Sequence, residues 1–275
     1  MSTWFITGCS TGLGRSLAQA VLERGHNAVV TARDAARVED LAQAHPDSAL
    51  ALSLDVTSPA QVTEAVRRAE ERFGGIDVVV NNAGYGYRAA VEEADDADVE
   101  KLFATHVFGA TSVLKAVLPG MRARRSGSVL NVSSIGAHVC PPGSGYYAAA
   151  KAALEALSRS LRQELAPLGI SVTIVAPGGF RTDFAGRSLT QSAEPIADYA
   201  QTAGKRRIEN DTVHGTQPGD PAKAAAAMIA IAEAENPPSS IFLGSDALSA
   251  IDSVLEQRVA EVNVWRELST STDFA

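Results

Sequence analysis

Thr7-Gly8-Cys9-Ser10-Thr11-Gly12-Leu13-Gly14-Arg15 stands between a short β-like run, residues 3–7, and a helix-like run, residues 12–24, with small residues along one side. Glycine lets the chain turn sharply and brings its backbone close to a ligand, and the unbonded N–H groups at a helix start attract anions. The spacing Gly-x3-Gly-x-Gly reads as a phosphate-cradling turn built from Gly8, Ser10, Thr11, Gly12, Leu13 and Gly14. It is not a nucleoside-triphosphate loop, because Leu13 follows Gly12 where that motif requires lysine. A glycine turn alone is common; its place between a first strand and a helix gives it weight.

Outward from this turn, β-like and helix-like segments alternate. Strands are expected at 26–31, 49–54, 76–80, 128–132 and 170–176. Helices are expected from Asp34, a plausible cap, to 43; after Ser58 and Pro59; over 96–125; and over 145–166. Val78-Val79-Val80 and Val172-Thr173-Ile174-Val175 are apolar on both faces, as buried parallel strands are. Strict alternation with right-handed crossovers predicts an α/β fold: one doubly wound, Rossmann-like parallel sheet with helices on both faces, in a single domain over 1–275. Residues 178–219 break the rhythm with polar, Gly- and Pro-containing sequence, and loops of that length are usually functional lids. A helix at 221–234, a strand at 241–243 and a helix at 246–267 close the chain.

The net charge of −8 over 275 residues opposes a nucleic-acid partner. The densest basic run, Arg122 to Arg125, reads as a helix C-terminal turn complementing the helix dipole. No uninterrupted run of about 18 apolar residues predicts a membrane span, and the N-terminus lacks a signal-peptide pattern. Cys9 and Cys140 have no metal-ligand spacing, so no metal site is expected, and free thiols point to a reducing cytoplasmic setting.

The end of the second strand bears on which dinucleotide binds. A site for NAD usually carries an acid there to hold the ribose 2′-hydroxyl. Here the end reads Thr31-Ala32-Arg33, and Arg33 can pair with a 2′-phosphate, which favours NADP(H). The bland reading of Arg33 is a solvated loop charge.

The strongest chemical signal is Tyr147-Ala-Ala-Ala-Lys151 at a helix start. Residues four apart share a helix face, whereas Tyr146 points elsewhere. A lysine about 5 Å from the phenol, at an effective dielectric of about 20, is worth roughly 3 kcal/mol, or about two units of acidification. Ser134, just past the end of a strand, points into the crevice where doubly wound sheets bind ligands, and can hold a carbonyl beside Tyr147. Ser133 faces differently and reads as structural.

Together these residues resemble the short-chain dehydrogenase/reductase family. The resemblance rests on Thr7-Gly8-x3-Gly12-x-Gly14, Asp55, Asn81-Asn82-Ala83-Gly84, Ser134, Tyr147-x3-Lys151 and Pro177-Gly178-x3-Thr182. It implies that Asp55 and Val56 contact the adenine, and that Asn82, Ala83 and Gly84 pack along the adenosine ribose. It further implies that Lys151 holds the nicotinamide ribose, and that Pro177, Gly178, Phe180 and Thr182 hold the nicotinamide end. Ser134, Tyr147 and Lys151 would be catalytic.

Where the family usually has an asparagine three residues before Gly109, this chain has His106, which puts the family's water-linked proton relay in question. Thr31-Ala32-Arg33 and Pro177-Gly-Gly-Phe-Arg-Thr-Asp-Phe184 are similar to segments of bacterial members resembling 17β-hydroxysteroid and retinol dehydrogenases. Val139, Pro141, Pro142, Phe180, Phe184 and Leu189 would then line an apolar pocket. The expectation is an NADP(H)-dependent reduction of a small hydrophobic carbonyl compound by a homo-oligomer, dimer or tetramer. The alternatives are a non-catalytic NADP-binding regulator on the same fold, which would have little use for the Tyr/Lys pair, and a sugar-nucleotide epimerase, which would usually carry Gly-x2-Gly-x2-Gly.

Overall fold

The computed structural model describes residues 1–186, 188–213 and 215–274. Strands β1 (Thr3–Ile6), β2 (Asn27–Ala32), β3 (Ala49–Ser53) and β4 (Val78–Asn81) alternate with helices α1 (Gly12–Glu23), α2 (Glu39–Ala44) and α3 (Pro59–Phe73). After β4 come a three-residue strand β5 (Gly86–Arg88), then α4 (Asp96–Phe103), a π-helical turn (Ala104–Gly109) and α5 (Ala110–Arg124). Next are β6 (Gly127–Val132), α6 (Gly136–Val139), α7 (Gly145–Leu165) and β7 (Ile170–Pro177). The chain ends with β8 (Leu189–Gln191), α8 (Ala203–Val213), α9 (Pro221–Ala232), β9 (Ser240–Leu243), α10 (Ser245–Val264) and α11 (Arg266–Thr270).

Seven strands form one parallel sheet in the order β3-β2-β1-β4-β6-β7-β9. The doubly wound α/β expectation holds. β1, β2 and β4 are buried along their whole length because both faces are covered. Leu17 and Val21 of α1 with Met228 and Ile229 of α9 fill one face. Val62 and Val66 of α3 with Val113, Val117 and Met121 of α5 fill the other. The strand order reverses direction between β1 and β4, and doubly wound sheets take their ligands at the carboxyl ends of the strands flanking such a point.

Several local expectations differ. The helix expected at 34–43 is a 3-10 turn, Ala35–Arg37, followed by α2; Asp34 does cap that turn, accepting from Ala36 N at 3.1 Å. Ser58 precedes α3 without a side-chain cap, and Pro59 begins the helix. The stretch Asp96–Arg124 is long and apolar enough, by length and composition, to cross a bilayer, with a mean hydropathy of 1.3 over an 18-residue window. It is not an uninterrupted apolar run, since Asp96, Asp98, Glu100, Lys101 and Lys115 break it; its Ala, Val, Leu and Phe residues raise the average. Here its apolar side chains, Val113, Val117 and Met121, lie in the core beneath the sheet.

Residues 178–219 carry more structure than an irregular loop. β8 pairs in parallel with β5, matching Gly86 with Leu189, Tyr87 with Thr190 and Arg88 with Gln191. The side chain of Glu93 is only 1% exposed and binds Arg207 of α8 at 2.9 Å, while accepting from Ala90 N and Ile196 N at 2.7 and 2.8 Å. Residues 187 and 214 of this segment lie outside the described residues.

Candidate active site

The cradle turn is braced from behind. Gly8 and Gly12 adopt φ of +74° and +62°, a region that L side chains rarely enter. Asn82 Nδ2 donates to Thr7 O at 2.9 Å and Gly8 O at 3.1 Å, and Asn82 N and Ala83 N both donate to the Thr7 hydroxyl at 3.0 Å. A Cβ on Gly14 would lie 2.3 Å from Asn82 Nδ2, so only glycine allows this contact. Thr11 makes no side-chain cap and the first turn of α1 holds no acid, which leaves its N–H groups for an anion. An open cleft of about 350 Å³ beside the turn is lined by Thr11, Gly12, Arg15, Arg181 and Thr182 among others. These features fit a dinucleotide pyrophosphate.

The remaining cofactor-end candidates are distributed around this turn. Arg33 is exposed at the end of β2, and its backbone carbonyl accepts from Ser53 Oγ at 2.8 Å. Asp55 Oδ1 accepts from Thr57 N and Oγ1 at 2.9 and 2.7 Å, which makes it a loop cap, and the neighbouring Val56 is buried. Gly178 N donates to Leu243 O at 2.9 Å, continuing from Pro177 at the end of β7. Thr182 packs over Gly12 and caps the 3-10 turn Asp183–Ala185, accepting from Phe184 N at 3.3 Å. Phe180 packs against the core cluster of α1 and α9, beside Gly219 and Gly244. Phe184 instead meets Tyr147 with its ring tilted at 58° and 5.9 Å away, so the two phenylalanines expected to share a pocket serve different surroundings.

Ser134, Tyr147 and Lys151 come together. The alanine-rich start of α7 favours helix and fixes the four-residue spacing. Tyr147 is buried with Ser134 close enough to act on its phenol, and Ser134 Oγ accepts from Gly136 N at 3.0 Å. Lys151 is buried, donates from Nζ to Val132 O at 2.8 Å, and sits 6.0 Å from the Tyr147 ring centre. Ser133, as expected, is structural: its hydroxyl donates to Glu155 at 2.7 Å.

The electrostatics correct one expectation. Burial raises the Tyr147 phenol above its ordinary value, and the Ser134 hydrogen bond and the charge of Arg88 only partly oppose this. Lysine-driven acidification is not what governs the phenol here: desolvation is the largest influence, Ser134 and Arg88 are the ones that oppose it, and burial also lowers Lys151 itself, to about 8. The hydroxyl therefore keeps its proton at neutral pH, the state a proton donor needs.

Three residues escaped the sequence reading. Arg88, buried in β5, lies over the Tyr147 ring at 6.0 Å. Asp246, at the start of α10, accepts from Gly179 N at 2.6 Å and so fixes the turn after β7. Glu93 anchors the 178–219 segment, as above. Their only signal in sequence was charge, which resembles any surface charge until the fold buries it. His106 lies on the π-helical turn, 1% exposed, with Nε2 2.9 Å from Tyr85 O and its ring edge-on to Tyr147 at 5.7 Å. Its Nδ1 has no partner among the described residues, and burial holds the imidazole well below its ordinary pKa, hence neutral. No group of three or more His, Cys, Asp or Glu suited to a metal ion occurs among the described residues.

Residues 2–193 match the family described as short chain dehydrogenase. The chain belongs to the short-chain dehydrogenase family. Over 270 residues it is 37% identical to oxidoreductase BOA17 of Botryotinia fuckeliana, covering 98% of each chain. The structure of a short-chain dehydrogenase from Streptomyces avermitilis superposes with a TM-score of 0.93 at 41% identity, over 99% of this chain and 100% of that one. A 3-ketoacyl-(acyl-carrier-protein) reductase from Brucella melitensis, solved with NADH, gives a TM-score of 0.74 at 25% identity, over 88% and 96%. This short-chain dehydrogenase is thus an oxidoreductase of a family that uses nicotinamide cofactors. None of the three relatives bears a hydroxysteroid or retinol dehydrogenase name, so they do not carry that narrower likeness.

Proposed function

We propose that this chain is an NADP(H)-dependent carbonyl reductase acting on a small hydrophobic ketone or aldehyde. The observation that carries the reading is the buried Tyr147 hydroxyl, protonated, beside Ser134 and flanked by the anchored ammonium of Lys151. When bound, a reduced nicotinamide would supply a hydride for the carbonyl carbon. Ser134 holds the carbonyl oxygen, and Tyr147 Oη–H gives that oxygen its proton, so the product is an alcohol. Lys151 holds the nicotinamide ribose and supports the phenolate left on Tyr147.

Arg33, exposed at the end of a strand that carries no acid there, is the residue for a 2′-phosphate. Phe184 and Leu189, both placed against Gly86, supply an apolar wall, and segment 178–219 acts as the lid. The Brucella reductase with NADH belongs to the same family, so cofactor choice is the part of this reading that Arg33 alone supports.

The test is a panel of ketones and aldehydes with NADPH and with NADH, read as loss of cofactor absorbance. Turnover with NADPH supports the proposal. NADPH binding without turnover of any carbonyl would favour a catalytically silent cofactor-binding protein.

A further inference from the structure

Around Tyr147 the chain buries two cations. Lys151 belongs to the proposed chemistry; Arg88 does not. Arg88 is 6% exposed, and among the described residues its guanidinium makes one hydrogen bond, from Nη1 to Tyr87 O at 3.2 Å. Its Nε is buried with no partner among the described residues. The charged groups facing it from neighbouring elements are already engaged. Arg207 pairs with Glu93, and Arg206 pairs with Glu209 at 2.9 Å. Burial and the charge of Arg206 pull the Arg88 guanidinium down to about 10, with Tyr147 and Glu209 acting in the opposite sense.

A guanidinium removed from water without a carboxylate is costly, and such groups are ordinarily paired. Contact with the Tyr147 ring at 6.0 Å is at the limit of a cation–π interaction and supplies no counter-charge. The cation is also held in place. β8 pairs along β5 with Arg88 opposite Gln191, and Ser192 N donates to Arg88 O at 3.0 Å, so the backbone that carries the guanidinium toward the Tyr147 ring is held by segment 178–219.

We propose that Arg88 binds an acidic group of the substrate, so that the preferred carbonyl compounds are oxo acids whose carboxylate lies a few bonds from the carbon being reduced. The inference rests on carbonyl reduction at Tyr147 and narrows its substrate class. A planar guanidinium suits a carboxylate because its parallel N–H groups match the two oxygens. Phe184, in tilted contact with the Tyr147 ring, suits an apolar or aromatic body between the two ends.

Two measurements test this. In the first, isothermal titration compares benzoate with benzamide on the cofactor-free chain, on Arg88→Met and on Arg88→Lys. Benzoate is expected to bind about 10- to 100-fold more tightly than benzamide, as for a charged hydrogen bond. That preference should vanish in Arg88→Met and persist in part in Arg88→Lys. In the second, kcat/KM is compared for 4-acetylbenzoate and its methyl ester, with a preference for the acid that Arg88→Met abolishes.

Equal binding of benzoate and benzamide by the wild-type chain, or a preference that Arg88→Met leaves unchanged, overturns the inference. If ketones turn over with no preference for acids, the inference fails while carbonyl reduction stands. If benzoate binding depends on Arg88 but no carbonyl turns over, the anion site stands and carbonyl reduction falls. Should Arg88→Met fail to fold, the wild-type ratios and Arg88→Lys decide.

Discussion

The two ends of the crevice are built by different means. At the cradle, Thr7, Gly8, Gly14 and Asn82 lock together mainly through backbone groups, and a single added methyl at Gly14 would collide with Asn82. At the opposite end, two three-residue strands, β5 and β8, are joined across about a hundred residues, and the buried Glu93–Arg207 pair staples the segment to the body. In the proposed reading, the cradle would hold a constant ligand part with backbone chemistry, and the far end a variable part with side chains that can change without disturbing the cradle. The difference makes separable binding and selectivity an expectation that mutation can break.

Tyr147→Phe is the strongest way to break that separation. It should lower turnover by about 10²–10⁴-fold while leaving cofactor affinity, measured by fluorescence titration, nearly intact; unchanged turnover would remove Tyr147 as the proton donor. Arg33→Ala acts only on the cradle side. It should weaken NADPH by about 10- to 100-fold, the worth of a charge-assisted contact, and NADH hardly at all. Equal losses for both cofactors would undo the 2′-phosphate assignment.

Glu93→Gln probes the far side. Burial alone would raise the Glu93 carboxyl, but Arg207 and the backbone N–H groups of Ala90 and Ile196 outweigh it and hold it low. Its stabilising contribution is therefore present above the ordinary carboxylate range and is lost as the pH falls through the lowered value. Glu93→Gln should raise KM several-fold, spare cofactor affinity and flatten the acid limb of stability in thermal melts. A matching loss of cofactor affinity would mean the two ends are coupled. His106→Asn is expected to be the mildest change: the backbone of the π-helical turn stays available, and activity should remain at or above the native level. A collapse of activity with an unchanged melting temperature would give the imidazole a role of its own.

What could be read in advance follows the same division. Apolar runs such as Val78-Val79-Val80, the glycine spacing and the Tyr147–Lys151 interval are local signals, and all three found their places. β5 and β8 were missed because Gly86-Tyr87-Arg88 and Leu189-Thr190-Gln191 are too short to show a period. The π-helical turn was missed because its sequence, Ala104 to Gly109, suits an ordinary helix. Arg88, Glu93 and Asp246 matter because distant segments bury or engage them, and no local pattern announces that. The sense of the Tyr147 shift failed for a related reason: proximity to Lys151 is legible from spacing, but the desolvation that dominates is a property of the assembled site.

The two thiols offer a way to watch the cradle open. Cys9 lies inside the turn, fully covered, bonded to Ile6 O at 3.2 Å and pushed up to about 12 by burial, whereas Cys140 is exposed. An alkylating reagent should label one sulfur at once and the other only when β1 and α1 part. The lag between the two mass increments is thus a native stopwatch for loosening of the nucleotide grip, and bound dinucleotide should lengthen it.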